Sequence, residues 1–433
     1  MVKSILVKLL RSPRTIYKII YRRLVKTINN IRLKNQNRLF SDAVKKLYTK
    51  EQINVVFFVL FSSTWKLESV YRLMKNHVRF NPIIFICPIV DSGKEYMLEQ
   101  LDNTYSFFYE RGYEVYKAYD EKSQKYINVR NEFNPDIIFY TNPYDGLVDD
   151  RYNIKNYSNI LSCYVSYAFS SINAPYTYNM TFHNSLWRFY LENENMRDFY
   201  NSKLGYNRLN HVPVGYPSFD LLDKAGSELK DGKYKYIIWA PHHTLEPEFG
   251  VLHRDSFIRY ADYMLNLLHK YRDKVFFIFR PHPLLKNKLY NHPDWGKSRT
   301  DDYYDVWNSS DNSLLSETRD YIDDFLLSDA MIHDSGSFTV EYLFTLKPVL
   351  FLGDKDPIEN ITPSAHEAFK CYSFANNEED IEEFIHNLLN NKIDPLYDKK
   401  KQFKKNYLKV NSKLVAENIL DDILQSIYGE KCN

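Results

Sequence analysis

Short, uninterrupted apolar runs alternate with helical patterns along most of this chain. The first runs span residues 55–61, 83–90 and 136–141, and amphipathic stretches separate them. A strand that is buried on both faces needs no polar alternate positions, so it reads as a continuous apolar run. The helical stretches supply the crossover connections that parallel strands require. The sequence therefore predicts an α/β protein built on parallel sheets.

The strand and helix alternation occurs twice. It first covers residues 51–215, and it then begins again with apolar runs at 235–240, 275–279 and 330–333. Between the halves lies a segment with two prolines and one glycine, residues 211–220, which we predict to cross between domains.

The predicted parts of the chain are a basic amphipathic segment, an N-terminal α/β domain, a C-terminal α/β domain and terminal helices. Their limits are residues 1–50, 51–215, 216–400 and 401–433. Neither a GxGxxG fingerprint nor a P-loop sequence is present.

Two local predictions concern loops. Residues 300–320 are polar and rich in aspartate, which predicts a surface loop. The segment 179–187 has a central histidine, His183, and reads as a polar turn that leads into a helix.

The first 50 residues carry an unusual charge. They hold 14 Lys and Arg against one acidic residue, a net charge of +13, whereas the rest of the chain has 43 basic and 54 acidic residues. Residues 2–31 combine an apolar stripe with an opposite basic stripe, which predicts an amphipathic helix in the interface of an anionic membrane. A helix packed on the protein body and an arm that binds nucleic acid are the alternatives. No apolar run is long enough to span a bilayer, and the segment lacks the pattern of a signal peptide.

The four cysteines are far apart in the sequence. None of Cys87, Cys163, Cys371 and Cys432 has the spacing of a metal or redox motif. This favours reduced thiols in a cytoplasmic protein.

Polar residues follow three successive strands of the second half. They are His242, His243 and Thr244 after the first strand, Arg280 and His282 after the second, and His333, Asp334, Ser335, Gly336 and Ser337 at the third. The carboxyl ends of parallel strands share one edge of a sheet. Arginine, histidine and the free N–H groups of a helix start together form a site for a diphosphate.

A metal site is the rival interpretation of the same histidines. It would use His242, His243, His282 and His333, but their spacing matches no zinc motif, and Arg280 would repel a cation. We therefore favour a diphosphate and no metal. We also expect Arg280→Ala and His282→Ala to weaken donor binding without unfolding the chain, since polar strand ends carry little core packing.

Three segments together resemble the CDP-glycerol:poly(glycerophosphate) glycerophosphotransferase family. They are residues 239–244, 279–283 and 328–338, and Glu341 follows them. Gly215-Tyr-Pro217 with Asp220 resembles the short linker motif of the family. Residues 181–184 resemble, more loosely, its Trp-His-Gly-Thr motif.

The resemblance implies two Rossmann-like domains that face each other across a cleft, the GT-B type. Residues 51–215 would form the acceptor domain and residues 216–400 the nucleotide-donor domain. It also implies a CDP-linked donor as co-substrate, no further cofactor, a glycan or lipid-linked acceptor, no nucleic acid, and peripheral attachment to the cytoplasmic face of the membrane. His183 would be the catalytic base and Glu341 would hold the ribose. The implied donor-binding residues are His242, His243, Arg280, His282, His333, Asp334, Ser335, Gly336, Ser337 and Glu341.

Two further functions stay open from the sequence. One is a nucleotide-sugar glycosyltransferase of the same fold, since a fold does not determine its donor. The other is a non-catalytic, membrane-bound partner in a complex that assembles glycans.

Overall fold

Two parallel β-sheets, one from each half of the chain, form the framework of the protein. The structure is a computed structural model, and it describes residues 36–91, 93–144, 146–205, 208–224, 232–246, 255–317, 320–336, 338–353 and 360–429. The predicted amphipathic helix of residues 2–31 lies outside these ranges. None of the described helices has the length and apolar character needed to cross a bilayer.

The first sheet has seven strands, and every neighbouring pair in it is parallel. In spatial order the strands are Val115–Lys117, Phe80–Ile86, Ile53–Val59, Ile137–Tyr140, Leu161–Val165, Arg188–Leu191 and His211–Pro213. Numbered along the chain, this is the order 3-2-1-4-5-6-7, which extends the Rossmann order by one edge strand.

The second sheet has six parallel strands in the Rossmann order 3-2-1-4-5-6. In spatial order they are Ser313–Leu315, Val275–Phe279, Lys235–Ala240, Ala330–His333, Val349–Leu352 and Ser373–Ala375. The central strands of both sheets are almost entirely buried, as their apolar runs predict. The predicted α/β fold with two Rossmann-like domains is confirmed.

Helices connect the strands and cover the sheets. In chain order they are 36–47, Glu68–Lys75, Lys94–Tyr109, Val129–Phe133, Thr181–Asn184, Glu194–Leu204, Phe219–Lys224, Ser256–Lys270, Leu285–Tyr290, Gly296–Ser309, Tyr321–Leu327, Phe338–Glu341, Pro363–Phe369, Glu378–Leu389, Tyr397–Phe403 and Val415–Tyr428. A short antiparallel pair, Tyr119–Asp120 with Lys125–Tyr126, lies outside the two sheets.

Two local predictions are wrong. Residues 300–320 form most of the helix Gly296–Ser309 and the strand Ser313–Leu315. The helix forms because Tyr303, Tyr304 and Trp307 make a buried aromatic face on a segment whose other face is polar. His183 lies within the one-turn helix Thr181–Asn184, and the segment then leads into the strand Arg188–Leu191 and not into the predicted helix.

The last helix, Val415–Tyr428, returns to the first half of the chain. Its apolar face, which includes Ile419 and Ile423, belongs to the core that covers one face of the first sheet. Arg188 of that sheet donates from Nε to the carboxylate of Asp422 over 2.7 Å. The predicted terminal helices of residues 401–433 therefore contact the first half as well as the second.

Candidate active site

The carboxyl ends of three neighbouring strands bring polar residues together at one edge of the second sheet. Backbone bonds join these ends: the His242 N–H donates to Asp334 Oδ1 over 2.6 Å, and the His282 N–H donates to the Pro241 carbonyl over 3.0 Å. The Arg280 N–H donates to a carbonyl of the first of these strands. The predicted meeting of the strand ends is therefore present.

Three partly buried histidine rings form a cluster at this edge. The ring centroids of His242 and His243 are 4.1 Å apart, and His282 lies 5.2 Å and 4.3 Å from them. Burial, and then the two neighbouring rings, lower the pKa of His282 to about 3. This imidazole is consequently neutral near pH 7 and can donate one N–H to a phosphate oxygen or offer a lone pair.

The same three histidines are those that could hold a metal ion. One ring nitrogen from each lies within 4.8 Å of the others. Three imidazole rings at this separation are a possible ligand set for a metal ion such as zinc, so the metal interpretation stays open for them. His333, the fourth residue of the metal interpretation, is not in this cluster.

His333 and Asp334 support the edge from inside. Both are fully buried. His333 Nε2 lies 3.1 Å from the Tyr372 hydroxyl, its Nδ1 accepts the Ser335 N–H, and burial lowers its pKa to about 3. The Asp334 carboxylate accepts from the His242 N–H and from the Ser256 hydroxyl. In this structure, these predicted donor-binding residues hold the histidine turn in place.

Arg280 is anchored by a buried carboxylate. Its Nη1 donates to Asp324 Oδ2 over 2.7 Å and to the Ser316 hydroxyl over 2.9 Å. The Asp324 side chain is fully buried, and that of Arg280 is 16% exposed. The expectation that Arg280 carries little packing is therefore wrong, because its removal would leave a buried charge without its cation.

Glu341 lies at the seam between the two halves. Its Oε1 accepts from the Phe169 N–H over 3.3 Å and from the Tyr216 hydroxyl over 3.1 Å. Burial raises the pKa of this carboxyl, and the nearby Lys66 ammonium lowers it. Glu341 is the residue predicted to bind the ribose, and in this structure one of its carboxylate oxygens already accepts hydrogen bonds from Phe169 and Tyr216. Its role in binding ribose stays a prediction. Ser337 lies outside the described residues.

A cavity of about 200 Å³ separates the donor edge from the first sheet. The second half contributes His242 and Gly336 to its lining. The first half contributes Pro143, Tyr144, Tyr164, Ser166, Tyr167, Ala168, Phe169, Ser170, Ser171, Ile172, Tyr176 and Thr177. These residues follow two strands of the first sheet at their carboxyl ends, so facing edges of both sheets form the cavity.

The segment 166–177, which makes most of the lining, is held from both halves. The Ser170 N–H donates to Glu192 Oε1 over 2.9 Å, and the Thr362 N–H donates to the Ser171 carbonyl over 2.9 Å. Ile172 and Ile361 form an isolated antiparallel bridge. Sequence reasoning missed this segment, although a run of small polar residues after a strand was the available signal.

His183 lies behind the cavity and not in its lining. Its ring is fully buried, and its centroid lies 5.8 Å from that of Tyr164 and 5.0 Å from that of Phe189. Nδ1 accepts the Met180 N–H over 3.2 Å. Burial, followed by the charges of His211 and Arg208, lowers the pKa of His183 to about 3. Its role as base stays a prediction, because Tyr164 lines the cavity and His183 does not.

Comparison with known proteins identifies the family to which this chain belongs. The sequence profile of the CDP-Glycerol:Poly(glycerophosphate) glycerophosphotransferase family matches residues 176–425. The match covers more than half of the chain and includes the His183 segment, the linker and the donor edge. The search of curated proteins finds no match.

Solved structures show the fold. The wall teichoic acid polymerase TagF aligns with a TM-score of 0.59 at 16% identity, over 94% of this chain and 97% of that one. A TagF H444N variant with CDPG aligns with a TM-score of 0.58 at 15% identity, over 94% and 97% of the two chains. The S. aureus MnaA-UDP structure aligns with a TM-score of 0.55 at 14% identity, over 88% and 99%. The expected GT-B arrangement is confirmed.

Proposed function

Because the chain belongs to the CDP-glycerol:poly(glycerophosphate) glycerophosphotransferase family, we propose that it transfers a polyol phosphate from a CDP-linked donor to a hydroxyl group. The donor is CDP-glycerol or a related molecule, and the acceptor is a cell-surface glycan or a lipid-linked glycan. One observation supports this proposal most directly. Three histidines and the start of a helix lie together at one edge of the second sheet, and they face a cavity that is lined mainly by the first domain.

The reaction that suits this arrangement is in-line phosphoryl transfer. The donor diphosphate lies against the histidine cluster and the helix start after Gly336. The acceptor oxygen attacks the phosphorus nearest the polyol, and the bond from that phosphorus to the bridging oxygen breaks. CMP leaves with the bridging oxygen, and the acceptor proton passes to a base. The protein supplies position and electrostatic stabilisation, and no resident cofactor is proposed.

The donor experiment offers CDP-glycerol, UDP-sugars and GDP-sugars singly to the purified protein. Release of CMP supports the proposal. Release of UDP or GDP supports the alternative function, a nucleotide-sugar glycosyltransferase. The similarity to a structure solved with UDP is the reason for testing these donors. A chelator should leave donor binding unchanged, and stoichiometric zinc in the purified protein would favour the metal interpretation of the histidines.

Two histidines compete for the role of base. The family resemblance favours His183, whereas His242 lines the cavity in this structure. Loss of a general base lowers the transfer rate by about 10²–10⁴ while donor affinity changes little. We therefore compare His183→Ala with His242→Ala in the same assay. Loss of transfer with normal donor binding in His183→Ala would identify His183 as the base, and a His183→Ala enzyme within a few-fold of wild type would exclude it. His242 also belongs to the histidine cluster that holds the donor, so His242→Ala should weaken donor binding in addition to any loss of transfer.

Attachment to the cytoplasmic face of the membrane is part of the proposal. It rests on the +13 charge of residues 1–50 and on the need to meet a lipid-linked acceptor at a surface. We propose no nucleic-acid partner.

A further inference from the structure

The cavity opposite the donor edge has an unusual lining for a family whose name describes a polymer of glycerol phosphate. Four tyrosines surround it, with hydroxyl groups from serines and a threonine of the segment 166–177. Among the described lining residues there is no lysine and no arginine, and His242 is the sole basic side chain. A chain of phosphates is bound mainly by such cations, above all by arginine.

Acidic groups lie directly behind this lining. The backbone N–H groups of Phe169 and Ser170 donate to the buried carboxyl groups of Glu341 and Glu192. Burial raises the pKa of both carboxyl groups, and the Lys66 ammonium lies near Glu341, so these groups add little negative charge to the cavity wall. An anionic ligand is disfavoured instead by the absence of lysine and arginine among the described lining residues.

The tyrosines suit a different ligand. Tyrosine offers an apolar ring face together with a polar hydroxyl, which matches a sugar ring with its C–H faces and its hydroxyl groups. The hydroxyls of Tyr144 and Tyr167 lie 3.1 Å apart, so either can donate to the other or to a ligand. Burial and this bond raise the pKa of Tyr144, which keeps its hydroxyl protonated. The Tyr176 side chain is 48% exposed at the cavity and is open to stacking.

We infer that the cavity binds the reacting end of the acceptor and that this end is an uncharged sugar unit, not a glycerol phosphate. This inference rests on the proposed transferase function and adds the chemical class of its acceptor. The cavity volume of about 200 Å³ is below the range of about 300–1,000 Å³ that is typical of ligand pockets, so the cavity admits one small unit at its end. His242 and Gly336 then place the donor edge beside the sugar hydroxyl.

Direct binding tests this inference without any use of the donor. The probes are the methyl β-glycoside of N-acetylglucosamine, which is neutral, and glycerol 3-phosphate, each at millimolar concentration with the full chain in saturation-transfer NMR. We expect the glycoside to bind. We expect Tyr144→Ala and Tyr176→Ala to weaken its binding about five- to tenfold, as the loss of an aromatic contact predicts. Tyr397→Ala is the matched control, since that tyrosine is 44% exposed and is not among the cavity residues.

Three outcomes would overturn the inference. They are an absence of glycoside binding, glycoside binding that the two tyrosine variants do not change, and glycerol 3-phosphate binding that the same variants abolish. Melting temperatures confirm that the variants are folded. The donor experiment measures nucleotide release, whereas the NMR experiment measures glycoside binding. A negative result in the first contradicts the proposed transferase function, and a negative result in the second contradicts the proposed acceptor class.

Discussion

At the scale of single residues, Arg280 shows how a predicted binding residue can also be structural. Its position after a strand predicts contact with a donor phosphate, and its side chain remains partly exposed. The same guanidinium pairs with Asp324, whose carboxylate is fully buried and also accepts from Ser316. A buried ion pair loses most when one partner is removed, since the remaining charge stays in a medium of low dielectric constant.

We expect Arg280→Ala to lower the free energy of unfolding by about 3 kcal/mol, the range in which breaking a buried pair falls. The double variant Arg280→Ala with Asp324→Asn should recover part of this loss, because it removes the unpaired charge. Urea denaturation followed by circular dichroism measures both. If the single variant unfolds at the wild-type urea concentration, the pair does not stabilise the fold. Arg280→Lys, which keeps a cation, is the variant to use for donor binding.

At the scale of elements, the linker motif has a structural explanation. Gly215 has a φ of +106°, and a Cβ atom there would lie 2.6 Å from Val415 Cγ2 at the start of the last helix. The Asp220 carboxylate accepts the N–H groups of Val415 and Ala416 over 2.7 and 2.9 Å. An acidic group at a helix N-terminus satisfies its free donors and interacts well with its dipole. The motif therefore docks the C-terminal helix onto the body.

Gly215→Ala should lower the free energy of unfolding more than a glycine substitution whose only cost is backbone strain. Gly112→Ala is the matched control, because its φ is +72° and no atom lies within 4 Å of the new Cβ position. The strain alone costs about 1–2 kcal/mol, and the clash with Val415 adds about 1–3 kcal/mol. Thermal unfolding compares the two variants, and adding Val415→Ala to Gly215→Ala should relieve the clash. Equal losses in both glycine variants would show that the close approach has no energetic role.

At the scale of the whole molecule, the described part of the chain begins with a helix that packs on the first domain. The helix of residues 36–47 places Phe40 and Leu47 in the core that covers the first sheet. The preceding 35 residues contain ten Lys and Arg and no acidic residue. A cluster of basic residues near an anionic membrane gains about 1 kcal/mol per residue from the surface potential.

Removal of residues 1–35 should therefore abolish sedimentation with vesicles that contain phosphatidylserine, while the melting temperature stays near that of the full chain. Vesicles of phosphatidylcholine alone are the control for charge. Ile20→Asp in the full chain tests the apolar stripe and keeps most of the positive charge. Sedimentation of the shortened chain with anionic vesicles at the wild-type level would show that the body, and not the arm, binds the membrane.

Local sequence patterns are sufficient to predict the two sheets, the meeting of polar strand ends and the family. These features depend on local patterns, because a strand buried on both faces must be apolar throughout and its polar end must fall at the sheet edge. The runs at 235–240, 275–279 and 330–333 coincide with observed strands for this reason.

The burial and partners of the candidate site residues, in contrast, follow from contacts between distant parts of the chain. His183 and His333 are both buried, and Asp334 supports a neighbouring turn, although each has the residue type of an active site. The tyrosine-lined cavity and the docking of the last helix likewise depend on residues far apart in the chain. A local pattern cannot specify these contacts, since burial and pKa depend on which distant groups the fold brings against a side chain.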